Sequence, residues 1–199
     1  MHFYIEHNRG HHHNVSTKED PASARYGEVI FSFWVRSVVH SYLDAWQLER
    51  TRLSRLHKAV WSWENEMVRF SVTQLLFLLA IGFGIGWNVM GWYLGAAVIG
   101  FLLLETVNYI EHYGLSREKN EAGVYEKVRP HHSWNSNHVI GRLLLFELSR
   151  HSDHHFIAGR KYQILRHHNN SPQMPTGYPG MMVMALIPPV WFGVMHRRL

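Results

Sequence analysis

FSVTQLLFLLAIGFGIGWNVMGWYLGAAVIGFLLLETVNYI, residues 70–110, carries one charged side chain, Glu105. A single helical crossing of a membrane needs about 20 apolar residues, so this stretch is long enough for two. It divides at its glycine-rich centre, and the two spans read as 70–87 and 89–110 with a very short uncharged turn between them. The reading is a transmembrane helical hairpin. The competing reading, two buried core helices of a soluble protein, is disfavoured by the flanking charges. Arg50, Arg52, Arg55, Lys58 and Arg69 precede the stretch, and Arg117, Lys119, Lys127 and Arg129 follow it. A hairpin places both flanks on one side, and the positive-inside rule makes that side cytoplasmic. Trp61, Trp63, Tyr109 and Tyr113 fall near that side, with Trp87, Trp92 and Tyr93 near the far turn, as interfacial aromatic belts do.

Outward from the hairpin, residues 26–66 mix aromatic and charged side chains at helical spacing and read as one or two helices lying on the membrane surface. Residues 180–195 are also free of charge but short and broken by Pro188-Pro189, which suits a re-entrant or interfacial segment better than a crossing. The expected fold is an all-α integral membrane protein. One domain covers 1–199, built as a hairpin plus a cytoplasmic, histidine-rich helical cap.

The chain holds 17 histidines in 199 residues and no cysteine. Thiolate metal sites, disulfides and a cysteine nucleophile are therefore excluded, and any metal must sit among imidazoles and carboxylates. The net charge of +5 could serve nucleic acid or an anionic membrane. Because the charges frame an apolar block, the membrane is favoured and no nucleic acid is expected.

Three histidine clusters lie outside the apolar spans. In Glu6-His7-Asn8-Arg9-Gly10-His11-His12, a helix would put His7 and His11 on one face, where both can reach one ion, and His12 one position round, where it could serve a second. The second cluster, NYIEHYG at 108–114, offers His112. In the third, RHSDHH at 150–155, His151 pairs with His154 at i+3 and His155 at i+4. If the hairpin leaves and re-enters the same face, all three clusters emerge together. Each has a carboxylate beside a histidine: Glu6, Glu111 and Asp153. These are candidates to fix an imidazole tautomer or to ligate directly. His132 and His138 lie in a run without clean ligand spacing and read as supporting groups, while His167-His168 reads as a solvated turn.

Spacing alone does not separate iron from zinc, copper or nickel. The runs at 6–12, 108–114 and 148–155, with PQMPTGYPG at 172–180, resemble the signature boxes and C-terminal loop of the membrane-bound alkane 1-monooxygenases. That resemblance implies two non-haem iron ions held by His7, His11, His12, His112, His151, His154 and His155, with O2 as co-substrate. It further implies n-alkanes as substrate and primary alcohols as product. Electrons would come from rubredoxin, supplied in turn by rubredoxin reductase, in a bacterial cytoplasmic membrane. The family carries one more box, HELxHK, which is absent here, so the chain is expected to be a fragment whose activity alone is in question. The alternatives are another hydroxylase or fatty-acyl desaturase of similar chemistry, or an inactive metal-binding fragment.

Overall fold

The computed structural model describes residues 2–199, and its regular secondary structure is helical. Among the described residues the only β-type pairings are isolated bridges, Lys119 with Tyr125 and Asn135 with Gln173. The elements are α1 (His2–Glu6), a π-helical turn (His7–His11), α2 (His12–Asn14), α3 (Ile30–Arg55), α4 (Glu66–Gly84) and α5 (Trp87–His112). After them come α6 (Val139–Leu144), α7 (His151–Phe156), α8 (Tyr178–Ala185) and α9 (Pro188–Met195).

Among the described residues, α4 and α5 are the two helices long and apolar enough to cross a membrane. The side chain of Asn65 caps α4 by accepting from the Met67 and Val68 N–H groups, an arrangement worth about 1 kcal/mol. The helices break at Ile85-Gly86, ahead of the expected turn at residue 88. Gly86 adopts φ 142°, which only glycine tolerates, and the Trp87 ring folds back over Gly82, where a Cβ would meet it at 3.0 Å. Away from the turn both helices outrun the expected spans, starting at Glu66 and ending at His112. Their sides expose Leu76, Phe83, Trp92, Ile99 and Leu103. That surface belongs in hydrocarbon, not in water.

The region expected to hold one or two surface helices forms the single long α3. Its buried stripe, Ile30, Phe33, Ser37, Ser41, Ala45, Glu49 and Leu53, repeats every three or four residues. Packing on it are α1, α4 and α5. The main core joins Phe33 of α3 to Tyr109 of α5, Tyr113 just past its end, Trp134 of the following loop, and Met181 and Trp191 of α8 and α9. Trp134 is pinned at both ends, its backbone N–H to the Glu111 carbonyl and its indole N–H to the Tyr113 carbonyl.

α8 and α9 run out along α5 and back. Tyr178 bonds to Glu111, Leu186 lies in a groove with Ile99, and His196 Nε2 is hydrogen-bonded to the Tyr113 hydroxyl at 2.8 Å. The reversal falls at Leu186-Ile187, immediately before Pro188-Pro189.

Candidate metal centre

The first cluster is not wound as an α-helix. The His12 N–H reaches the His7 carbonyl, five residues back, which widens the turn as π-bulges at functional sites do. The widening brings His12 round to His7, with their Nε2 atoms 3.2 Å apart. His11 is turned the other way. The structure thus groups His7 with His12, where helical spacing had paired it with His11.

Two histidine groups result. His11, His112, His151 and His155, all buried, place one ring nitrogen each within 4.8 Å of the others. His7, His12 and His154 do the same at the more open edge. α7 feeds both, because His151 and His155 share a face at i+4 while His154 points aside. The groups touch, with ring centroids of His12 and His155 4.7 Å apart and those of His7 and His11 5.3 Å apart.

The donor set fits a cation. His151 Nε2 lies 3.1 Å from His112 Nε2 and 2.9 Å from His155 Nε2. An imidazole nitrogen carries one proton or one lone pair, so hydrogen bonding cannot satisfy all three. Two nitrogens each about 2.1 Å from one ion stand about 3.0–3.4 Å apart, close to the spacing observed. His11 Nε2 is buried without a partner.

Protonation favours the same conclusion. Burial, then neighbouring imidazoles, pushes His7 down to about 2 and His12 to about 3. Burial, then His11, takes His154 to about 4, and burial holds His151 and His155 well below the ordinary range. Neutral imidazoles keep the lone pairs a metal needs. His11 is the exception: burial would lower it, but Asp20 more than reverses this and lifts it to about 9. Its Nδ1–H donates to Asp20 Oδ2 at 2.8 Å. A metal on Nε2 displaces the second proton and leaves Asp20 holding the tautomer.

The sequence pattern of the fatty acid desaturase family matches residues 1–185. The chain belongs to that family. Two alkane 1-monooxygenases of Pseudomonas aeruginosa, forms 1 and 2, are each 49% identical over 197 residues, covering 99% of this chain and 52% of theirs. Alkane 1-monooxygenase 2 of Alcanivorax borkumensis is 46% identical over 197 residues, with the same coverage. The chain spans about half the length of the curated relatives it matches.

In this member of the fatty acid desaturase family, the carboxylates beside the histidines turn elsewhere. Neighbours on a helix point about 100° apart, so adjacency in sequence does not make a pair. Glu111 Oε1 lies 3.2 Å from His151 Nδ1, across to α7, and not against its neighbour His112. Asp153 accepts from Arg160, His168 and the Arg166 N–H. Glu6 is buried with Oε1 unpartnered; burial, with Asp20, Asp44 and Glu105 nearby, lifts it to about 8. The carboxylate that orients His11 is Asp20, which sequence reasoning missed. It lies nine residues on in an irregular loop, where no helical spacing links it to His11.

The remaining candidates lie apart from the two groups. His132 gathers with Glu126 and His131, but its Nδ1 accepts the Arg129 N–H, so its proton sits on Nε2 and faces Glu126 at 3.2 Å. That arrangement is a closed structural knot. His138 is exposed and rests against Gly177. His167 Nδ1 accepts from the Asn135 amide at 2.9 Å, while His168 is committed to Asp153.

Proposed function

We propose that this chain forms the larger part of the active centre of a membrane-bound alkane hydroxylase. In this reading His11, His112, His151 and His155 hold one iron ion, and His7, His12 and His154 hold a second. The overall change would be alkane plus O2, two electrons and two protons giving a primary alcohol and water. When bound, the irons supply the reduction of O2 and the oxidising power needed to attack an unactivated C–H bond. The observation that carries the reading is the pair of touching all-imidazole groups, in a chain so similar throughout to alkane 1-monooxygenases.

The chain's own residues contribute position and environment. Asp20 orients His11, and Glu111, held by Tyr178, backs His151. The apolar flanks of α4 and α5 let a substrate without polar groups approach through hydrocarbon. Residues 178–196 form a re-entrant segment that walls one side of α5. The hairpin would cross the bacterial cytoplasmic membrane with both histidine groups on the cytoplasmic side. There Arg117, Lys119, Lys127 and Arg129 would steer an acidic electron carrier of the rubredoxin kind, itself reduced by rubredoxin reductase. The three-histidine group, less enclosed and one ligand poorer, is where a ligand from an HELxHK box outside this chain would join.

Iron content and Mössbauer spectroscopy on the detergent-purified chain, alone and extended upstream to include such a box, test the reading. Two irons in the extended form, with n-alkane converted to the 1-alcohol, are expected. No iron in either form, or a desaturated acyl product in place of the alcohol, would overturn it.

A further inference from the structure

Between the hairpin and the third histidine cluster, α6 shows an apolar face where a water-facing helix would carry charge. Val139, Ile140, Leu143 and Leu144 are all exposed, with Ile140 at 70% and Leu143 at 72%, and Phe146 follows them. The opposite side is anchored: Gly141 sits against Ser149, and Leu145 packs on the main core. The one charge on the helix is drawn aside, because Arg142 makes two bonds of 2.7 and 2.8 Å to Glu147. A contiguous exposed apolar face of this kind marks a contact surface.

Two observations identify what covers it. The first is height. His138, which precedes α6, rests on Gly177, and the adjacent Tyr178 bonds Glu111 at the end of α5. α6 therefore sits at the level where the apolar helices give way to the polar site, the level of a bilayer interface. The second is continuity. Pro179 lines both the groove of ≈ 440 Å³ bounded by Val139 and Ile140 and the apolar groove of ≈ 380 Å³ bounded by Ile99, Leu103 and Leu186. Ile99 lies about 18 Å along α5 from Glu111, deep in the span. The exposed face of α6 is thus joined through Pro179 to the apolar groove on the side of the hairpin.

We propose that α6 is a lipid-contacting helix lying in the interfacial layer of the bilayer, with Val139, Ile140, Leu143, Leu144 and Phe146 among the acyl chains. The proposal rests on the hairpin crossing a membrane and not on which reaction the centre performs. Its consequence is mechanical. α6 leads within seven residues into α7, the helix that supplies His151, His154 and His155, so the bilayer itself holds that helix at a fixed depth.

Because the chain has no cysteine, single replacements can be labelled without background. Leu143→Cys and Ile140→Cys, both at exposed side chains, would be spin-labelled in the full chain reconstituted in phosphatidylcholine–phosphatidylglycerol vesicles. Leu103→Cys serves as the hydrocarbon reference and Glu121→Cys as the aqueous one. Collision with O2 and with a water-soluble nickel chelate reports depth. Labels at 140 and 143 are expected about 5–10 Å below the headgroups, reached by O2 and shielded from nickel, with Leu103→Cys deeper. Nickel access equal to that of Glu121→Cys would overturn the proposal. So would shielding from both reagents, which would mean a protein cover, either a second copy or a preceding segment. A Leu103→Cys label outside the hydrocarbon would remove the hairpin reading itself.

Discussion

The Tyr178 hydroxyl donates a 2.7 Å hydrogen bond to Glu111 Oε1, and the same oxygen stands 3.2 Å from His151 Nδ1. A residue of the C-terminal segment thus holds the carboxyl group that packs against the four-histidine group, beside a His151 Nδ1 that has no hydrogen-bond partner of its own. Partners behind a metal ligand fix its ring and tautomer, and their loss typically costs about 10–100-fold in metal affinity or activity. Tyr178→Phe removes the donor and keeps the ring in the core. Its iron is expected to be stripped by a chelator at about 10–100-fold lower concentration, and resistance equal to the parent chain would refute the role.

His11→Ala and His154→Ala should separate the two groups. The first removes a ligand from the buried group and the second from the more open one. Mössbauer spectra of the upstream-extended protein should lose a different iron component in each variant. Loss of the same component in both would mean that His11 and His154 serve one ion and would overturn the division into two groups.

Asp153 is expected to hold the loop over 157–168 and not a metal. Its buried carboxylate accepts from Arg160 at 2.7 Å, His168 at 2.7 Å and the Arg166 N–H at 2.8 Å. Asp153→Ala leaves Arg160 without its buried partner, and breaking such a pair costs about 3–5 kcal/mol. Thermal unfolding in detergent should show a lower Tm. An unchanged Tm with lost iron would instead make Asp153 a ligand.

Acid should loosen the knot at Glu126, Arg129 and His132. Burial first, and His131 second, push His132 down to about 4. A histidine depressed when folded is more readily protonated when unfolded, so its contribution is complete above the unfolded value of about 6.5. It is lost as pH falls from about 6.5 through about 4. Protonation of Nδ1 removes the acceptor of the Arg129 N–H, so exchange of that amide, corrected for intrinsic pH dependence, should rise across this window. Constant protection down to pH 4 would contradict the assignment.

The hairpin was legible because its signal is local. An apolar stretch of 41 residues with one charge has few physical solutions. The first and third histidine clusters were equally visible, since i+3 and i+4 spacing on short helices is read directly from the chain, whereas His112, alone in its stretch, was singled out only by the family resemblance. Less was legible wherever a single extra residue in a turn changes a direction. The π-turn at His7–His11 cannot be told from an α-turn by spacing, yet it moves His12 to His7 and gives His11 to the other group. The turn likewise falls at Gly86, where the Trp87 ring lies over Gly82, a contact that composition does not announce.

By itself, then, the sequence determined the helical class, the two long apolar helices and the ligand chemistry, because hydropathy, charge and residue type act over a few neighbouring positions. Tertiary structure alone decided which histidines come together in each group, that Asp20 and not a neighbouring acid orients His11, and that Tyr178 bonds Glu111. Those choices depend on side chains brought together from distant parts of the chain, where direction in space and not order along the backbone sets who meets whom.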